Sequence, residues 1–173
     1  MITLADELQL DATAFLAPQA VGHTWYPYGF MEPVERNEPF LRSALQLIDS
    51  LLVELNGRGV AESAVYLLGF SQGACLSLEY AARSGRRFGG VYALSGGLIG
   101  DVLDESIYSS SLSGTPYFLG CSDVDPHIPL ERLEQSRTIL GSRGAAVELR
   151  VYPGMGHTVN EDELDRIRNL AMR

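Results

Sequence analysis

Short apolar runs that alternate with helical segments constrain this chain more than any other feature. Val65-Tyr66-Leu67-Leu68-Gly69-Phe70, Gly90-Val91-Tyr92-Ala93-Leu94, Pro116-Tyr117-Phe118-Leu119-Gly120 and Ala146-Val147-Glu148-Leu149-Arg150-Val151-Tyr152 are short and rich in β-branched and aromatic residues, so they are expected as strands. Helices are expected from Gln72 to Ser84 with Gly85 as stop, and from Leu130 to Leu140 with Gly141 as stop. Asn160 is expected to cap a last helix, with Glu163 three residues on completing a capping box. The Gly- and Ser-rich stretch Ser95–Thr115 reads as a loop with one helical turn near Val102. Upstream, Ala14-Phe15-Leu16-Ala17 is expected as a further strand, followed by a turn-rich, aromatic stretch from Pro18 to Arg36. Asn37 is then expected to cap a helix to about Asn56, with Leu41, Ala44, Leu45, Ile48, Leu51, Leu52 and Leu55 at helical spacing and Gly57 as stop. Met1–Leu8 reads as a short amphipathic helix. Strands that are apolar throughout, separated by helices, imply an α/β fold: a mostly parallel sheet with helices on both faces. In such sheets ligands bind at the carboxyl ends of the strands, which is the edge to search for chemistry.

Composition removes several function classes. The 173 residues, read as one domain, carry 22 acidic and 13 basic side chains, a net charge of −9, which argues against nucleic-acid partners. All the basic residues are Arg, so a Schiff-base lysine and a Walker-type phosphate loop are excluded. Cys75 and Cys121, the 2 cysteines, cannot form a disulfide framework or a four-thiolate zinc site, and are expected as reduced thiols in a cytoplasmic protein. No apolar run is long enough to span a membrane, and the acidic N-terminus has no basic region of the signal-peptide kind.

Gly69-Phe70-Ser71-Gln72-Gly73 is a G-x-S-x-G pentapeptide placed between an expected strand and an expected helix. That setting turns the chain sharply, strains Ser71 and projects its hydroxyl clear of the sheet; side chains at 69 or 73 are expected to collide with backbone. A serine nucleophile needs a base, and only 3 histidines exist: His23, His127 and His157. His157, in Gly154-Met155-Gly156-His157-Thr158, follows the last strand and so faces the same edge as Ser71. An orienting acid is expected after the Pro116 strand, in Cys121-Ser122-Asp123-Val124-Asp125-Pro126-His127-Ile128-Pro129. Asp123 and Asp125 both qualify: one would orient His157, the other would be structural. Asp123, Asp125 and His127 alternate as carboxylate and imidazole ligands could, but two prolines stiffen the segment, no further ligand cluster accompanies them, and no metal is expected.

At these segments the sequence resembles the phospholipase/carboxylesterase branch of the α/β-hydrolase superfamily, which includes acyl-protein thioesterases. The residues that carry the resemblance are Gly69-Phe70-Ser71-Gln72-Gly73-Ala74, Asp125-Pro126-His127-Ile128-Pro129 and Tyr152-Pro153-Gly154-Met155-Gly156-His157, with Ala17-Pro18-Gln19-Ala20 and Trp25-Tyr26-Pro27 upstream. The resemblance implies an α/β-hydrolase fold and assigns Ser71, Asp125 and His157 as the catalytic residues. It implies that the backbone N–H of Gln72 stabilises the oxyanion, and that no cofactor is needed. Cys121-Ser122 stands where the family usually has His-Gly. The family's earlier strand and its His-Gly-x-Gly loop, which supplies a second oxyanion donor, have no counterpart in the 173 residues. The domain is therefore expected as an N-terminally shortened one with a damaged sheet; losing such a donor costs about 10²–10³ in rate. Trp25, Tyr26, Tyr28, Phe30 and Met31 are expected to line an acyl pocket, bordered by Ser95, Gly96 and Gly97. The function expected is hydrolysis of small carboxylic esters, or of thioesters or lysophospholipids, through an acyl-enzyme. The alternatives are a hydrolase-like binding protein without a complete oxyanion hole and a reading frame that starts upstream. An incomplete sheet would expose an edge that a second copy could cover as a homodimer.

Overall fold

The computed structural model describes residues 2–112 and 114–171. Helix α1 (Ile2–Leu8) and a long irregular segment with a 3-10 turn at Val21–His23 lead to the short α2 (Val34–Asn37) and the long α3 (Phe40–Gly57). Then come β1 (Tyr66–Phe70), α4 (Gln72–Ser84), β2 (Gly90–Leu94), β3 (Pro116–Ser122), α5 (Leu130–Ser142), β4 (Ala146–Tyr152) and α6 (Glu161–Ala171). Met1 and Ser113, within the expected first helix and the 95–115 loop, lie outside the described residues.

The sheet has 4 strands in the order β1-β2-β3-β4, all parallel. Pairing runs to the strand ends, with Phe70 beside Leu94, Leu94 beside Gly120, and Ser122 beside Tyr152. The loops that follow the strands therefore leave from one edge. Side chains alternate across the pleat. Val91, Ala93, Tyr117 and Leu119 pack with Leu52, Leu78 and Leu140 of α3, α4 and α5. Tyr92, Leu94 and Phe118 point the other way, onto Leu8 of α1 and Leu164 and Ile167 of α6. Every residue of β2 is buried, as an apolar run covered on both faces requires.

Ala14–Ala17 is not a strand; Phe15 and Leu16 are 43% and 61% exposed. A strand persists only where a neighbour takes its backbone hydrogen bonds. The strand order leaves β1 at the edge of the sheet, and residues 14–17 pair with no strand among the described residues. Asn37 is not the cap of α3. It is fully buried, its Oδ1 accepts the Tyr28 N–H (2.9 Å) and its Nδ2 donates to the Gly29 carbonyl (3.1 Å), so the amide is used on the aromatic segment, and Pro39 precedes α3 instead. Gly57 lies inside α3, and the turn expected near Val102 falls at Glu105–Ile107, where Asp104 accepts the Ser106 N–H. Helix α5 runs on to Ser142.

The capping box of α6 forms as expected: Asn160 Oδ1 accepts the Glu163 N–H (2.9 Å) and Glu163 Oε2 accepts the Asn160 N–H (3.0 Å). Glu163 is fully buried against Gly120 of β3, and its Oε1 has no hydrogen-bond partner among the described residues. Burial pushes its carboxyl from the ordinary 4.5 up to about 7; the Asn160 N–H pulls it down and the charge of Asp162 adds to the rise. A carboxyl raised on folding holds its proton in the native state. Its contribution to stability is full below the unfolded value and is lost as pH climbs through the folded one. Between pH 5 and pH 8 the wild type is expected to lose about 2 kcal/mol at this site. Glu163→Gln, which keeps the capping box, should remove that loss. Urea unfolding of both proteins at the two pH values checks it, and equal pH dependence would refute it.

Candidate active site

Only Ser71 separates β1 from α4, so the reversal from strand to helix falls on one residue. Its backbone sits at φ 55°, ψ −121°, a conformation that costs a side-chain-bearing residue about 1–3 kcal/mol. The turn is tied down on both sides. Ser71 N–H donates to the Leu94 carbonyl at the end of β2 (2.9 Å), and the Ser71 carbonyl accepts the N–H of Ala74 (2.9 Å) and Cys75 (3.1 Å). A Cβ on Gly69 would run into the backbone of Gly73, so that position must be glycine. The same is not true of Gly73, where an added Cβ meets nothing within 4 Å; the collision expected there does not arise, because residue 73 turns its backbone, not its Cβ position, toward Gly69.

The loop after β3 carries Asp125, whose side chain is fully buried. Its Oδ1 accepts the N–H groups of His127 (2.8 Å) and Ile128 (3.1 Å), which leaves Oδ2 for His157 Nδ1 at 2.8 Å. Burial would raise the carboxyl; the bonds from His157, His127 and Ile128 outweigh it and hold it below the usual carboxylate range. Asp123 takes a different part: its Oδ1 accepts the Gly154 N–H (2.8 Å), and Ser122 Oγ accepts the Gly156 N–H (2.9 Å). These two residues of the β3 end hold the loop that presents His157.

His157 Nε2 lies 3.0 Å from Ser71 Oγ. A carboxylate can only accept, so Nδ1 carries the proton toward Asp125 and Nε2 is left to accept the Ser71 hydroxyl. The imidazole sits between the rings of Phe70 and His127, each centroid 4.8 Å away, the second edge-on at 72°. Ser71, His157 and Asp125 thus form one hydrogen-bonded chain contributed by the ends of β1, β4 and β3 at the searched edge.

Beside Ser71 opens a cavity of about 220 Å³. Tyr26, Tyr28, Gly29 and Phe30 form one wall, Gln72 and Cys75 of α4 another, and His127 and Ile128 a third. Of the residues expected there, Trp25 and Met31 are not among those that line it, and Met31 is 39% exposed. Ser95 is fully buried, and Gly96 packs against Ala74 of α4, where a Cβ would strike the alanine methyl. Gly97 lies against Arg132 and Ser136 of α5. Cys75, His127 and Ile128 were not expected in the wall. Cys75 carried a legible signal, because it stands one helical turn after Ser71 and so returns to the same face. Among the described residues no group of three or more His, Cys, Asp or Glu side chains is gathered to hold a metal ion, and Asp123 and Asp125 are engaged on separate partners. Cys75 and Cys121 are both unpaired and buried.

The match to the phospholipase/carboxylesterase description covers residues 14–171, all but the two ends of the chain. The chain belongs to the phospholipase/carboxylesterase family. It is 30% identical over 166 residues to acyl-protein thioesterase 1 of Kluyveromyces lactis, matching 92% of this chain and 71% of that protein. Acyl-protein thioesterase 1 of Gibberella zeae is 28% identical over 143 residues, 80% of this chain and 61% of that protein. Among solved structures, the phospholipase/carboxylesterase from Dyadobacter fermentans superposes with a TM-score of 0.95 at 44% identity, covering 99% of this chain and 82% of the other. The four parallel strands and their flanking helices are those of an α/β-hydrolase. Among the described residues no helix is long and apolar enough to cross a membrane.

Proposed function

We propose that this family member, as a single domain, hydrolyses carboxylic esters or thioesters of small acyl groups through a covalent acyl-enzyme on Ser71. The observation that carries the proposal is the continuous hydrogen-bonded chain from Asp125 through His157 to Ser71, with Ser71 in a strained elbow. His157 Nε2 takes the hydroxyl proton as Ser71 Oγ attacks the acyl carbonyl. Asp125 keeps Nδ1 protonated and stabilises the imidazolium, and Phe70 lies close enough to offer its ring to that cation. The carbonyl oxygen becomes an oxyanion. Gln72 opens α4, so its N–H has no partner within the helix and meets that charge, with the positive end of the helix behind it. His157 returns the proton to the departing alcohol or thiol. Water, deprotonated by the same imidazole, then attacks the ester on Ser71; the acid leaves and Ser71 recovers its proton. The cavity accepts the acyl group; at about 220 Å³ it is smaller than the general range of drug-sized pockets, which supports short chains.

A fluorophosphonate probe is expected to form one adduct per chain, located by mass spectrometry on Ser71, and short-chain p-nitrophenyl esters are expected to be turned over. Failure of the wild type in both assays overturns the assignment. Parallel assays with a thioester of the same acyl group decide which leaving group is preferred, in keeping with relatives named both acyl-protein thioesterase and carboxylesterase.

A further inference from the structure

The side chain of Gln72 does something that its backbone role does not require. Its Oε1 accepts the Trp25 N–H at 2.8 Å. Its Nε2 donates to the Tyr26 carbonyl at 2.9 Å and to Thr24 Oγ1 at 3.2 Å. The amide orientation is fixed by this pattern, since the reverse would set donor against donor at Trp25 and acceptor against acceptor at Tyr26. A residue in the first turn of a helix ordinarily spends such a side chain on solvent or on its own N-terminus. Here every polar atom of it is spent on a segment about 47 residues upstream. That segment, residues 24–30, carries the aromatic wall of the cavity at Tyr26, Tyr28, Gly29 and Phe30. It has no regular hydrogen-bonded structure of its own; the Gly100 N–H holds the Phe30 carbonyl (2.8 Å), and side chains hold the rest. Asn37 grips its far end at Tyr28 and Gly29, and Gln72 grips its near end. Tyr26 lies between the two grips, 1% exposed, with its ring in the cavity wall.

We propose that the Gln72 side chain is a positioning residue: it locks the 24–30 wall to the first turn of α4 and so sets which acyl chains fit beside Ser71. The wall and the N–H that meets the oxyanion then move as one body, because one residue supplies both the clamp and the donor. A chain long enough to press on the wall senses the clamp, and an acetyl group, which ends near Ser71, senses it far less. The proposal rests on the hydrolase assignment for its selectivity but not for the clamp itself.

Trp25 is the only tryptophan in the chain and its N–H is held by the clamp, so its fluorescence reports the clamped segment without substrate. Gln72→Met keeps the volume and removes every polar atom of the clamp. It is expected to raise acrylamide quenching of Trp25 and to change the ratio of kcat/KM for p-nitrophenyl butyrate to that for acetate by about tenfold, mainly through KM. Gln72→Glu retains the acceptor for Trp25 but sets a carboxylate oxygen against the Tyr26 carbonyl, so it should also raise quenching, and it serves as the test of the clamp where Met impairs folding. Unchanged quenching in both variants overturns the clamp. Raised quenching with both esters slowed by the same factor overturns the selectivity. If the wild type turns over neither ester, the hydrolase assignment fails, and quenching alone still decides the clamp.

Discussion

Replacing Ser71 by alanine is expected to lower ester turnover by about 10⁵ or more and to abolish fluorophosphonate labelling, while leaving the fold in place. The size follows from the hydrogen-bonded chain. His157 and Asp125 act only by moving the Ser71 proton, so removing the hydroxyl idles both, and what remains is water attacking a substrate held by the cavity and the Gln72 N–H. The fold survives because the Ser71 side chain is not among the groups that tie the elbow; its backbone N–H and carbonyl do that. Ser71→Gly separates the two consequences. Glycine occupies φ 55° without the penalty a side chain suffers there, so this variant is expected to be equally inactive yet more stable than wild type by about 1 kcal/mol. Turnover of p-nitrophenyl butyrate and urea unfolding of the three proteins measure both. An alanine variant within tenfold of wild type would show that Ser71 is not the nucleophile.

The same elbow shows why much of this site was legible in the sequence. Gly69 and Ser71 combine a steric demand with a chemical one, and the boundaries of α4, β2 and β4 fall where the apolar runs and stop signals put them. What could not be read depends on neighbours distant in sequence. Ala14–Ala17 has the composition of a strand, but pairing is not a local property, and β1 offers it no ladder among the described residues. Asn37 has the preference of a cap, yet the backbone it satisfies belongs to Tyr28 and Gly29. Gln72 could be read for its N–H from its place after the nucleophile, whereas its side-chain amide finds partners only once residues 24–26 fold against α4. In each case propensity was correct about what the residue can do and silent about which of several partners would claim it.

Asp123 and Asp125 have equal standing on spacing alone, and their variants are expected to part by about four orders of magnitude. Asp125→Asn should lower kcat by about 10⁴. The cause is visible in how the carboxylate is used. Its Oδ1 accepts two backbone N–H groups, from His127 and Ile128, and those donors lie between Pro126 and Pro129. An asparagine must keep its carbonyl oxygen there, since turning its NH₂ toward two N–H donors would set donor against donor and lose both bonds. The NH₂ then lands where Oδ2 was and donates to His157 Nδ1. The imidazole is driven into the other tautomer, with its proton on Nε2, facing a hydroxyl it can no longer deprotonate. Asp123→Asn meets no such conflict, because the amide carbonyl can still accept the Gly154 N–H from an exposed position; turnover within about threefold of wild type is expected. Rates for the two variants, with fluorophosphonate labelling as a second readout, distinguish the carboxylates, and an Asp125→Asn enzyme within tenfold of wild type would show that the buried carboxylate does not govern the state of His157.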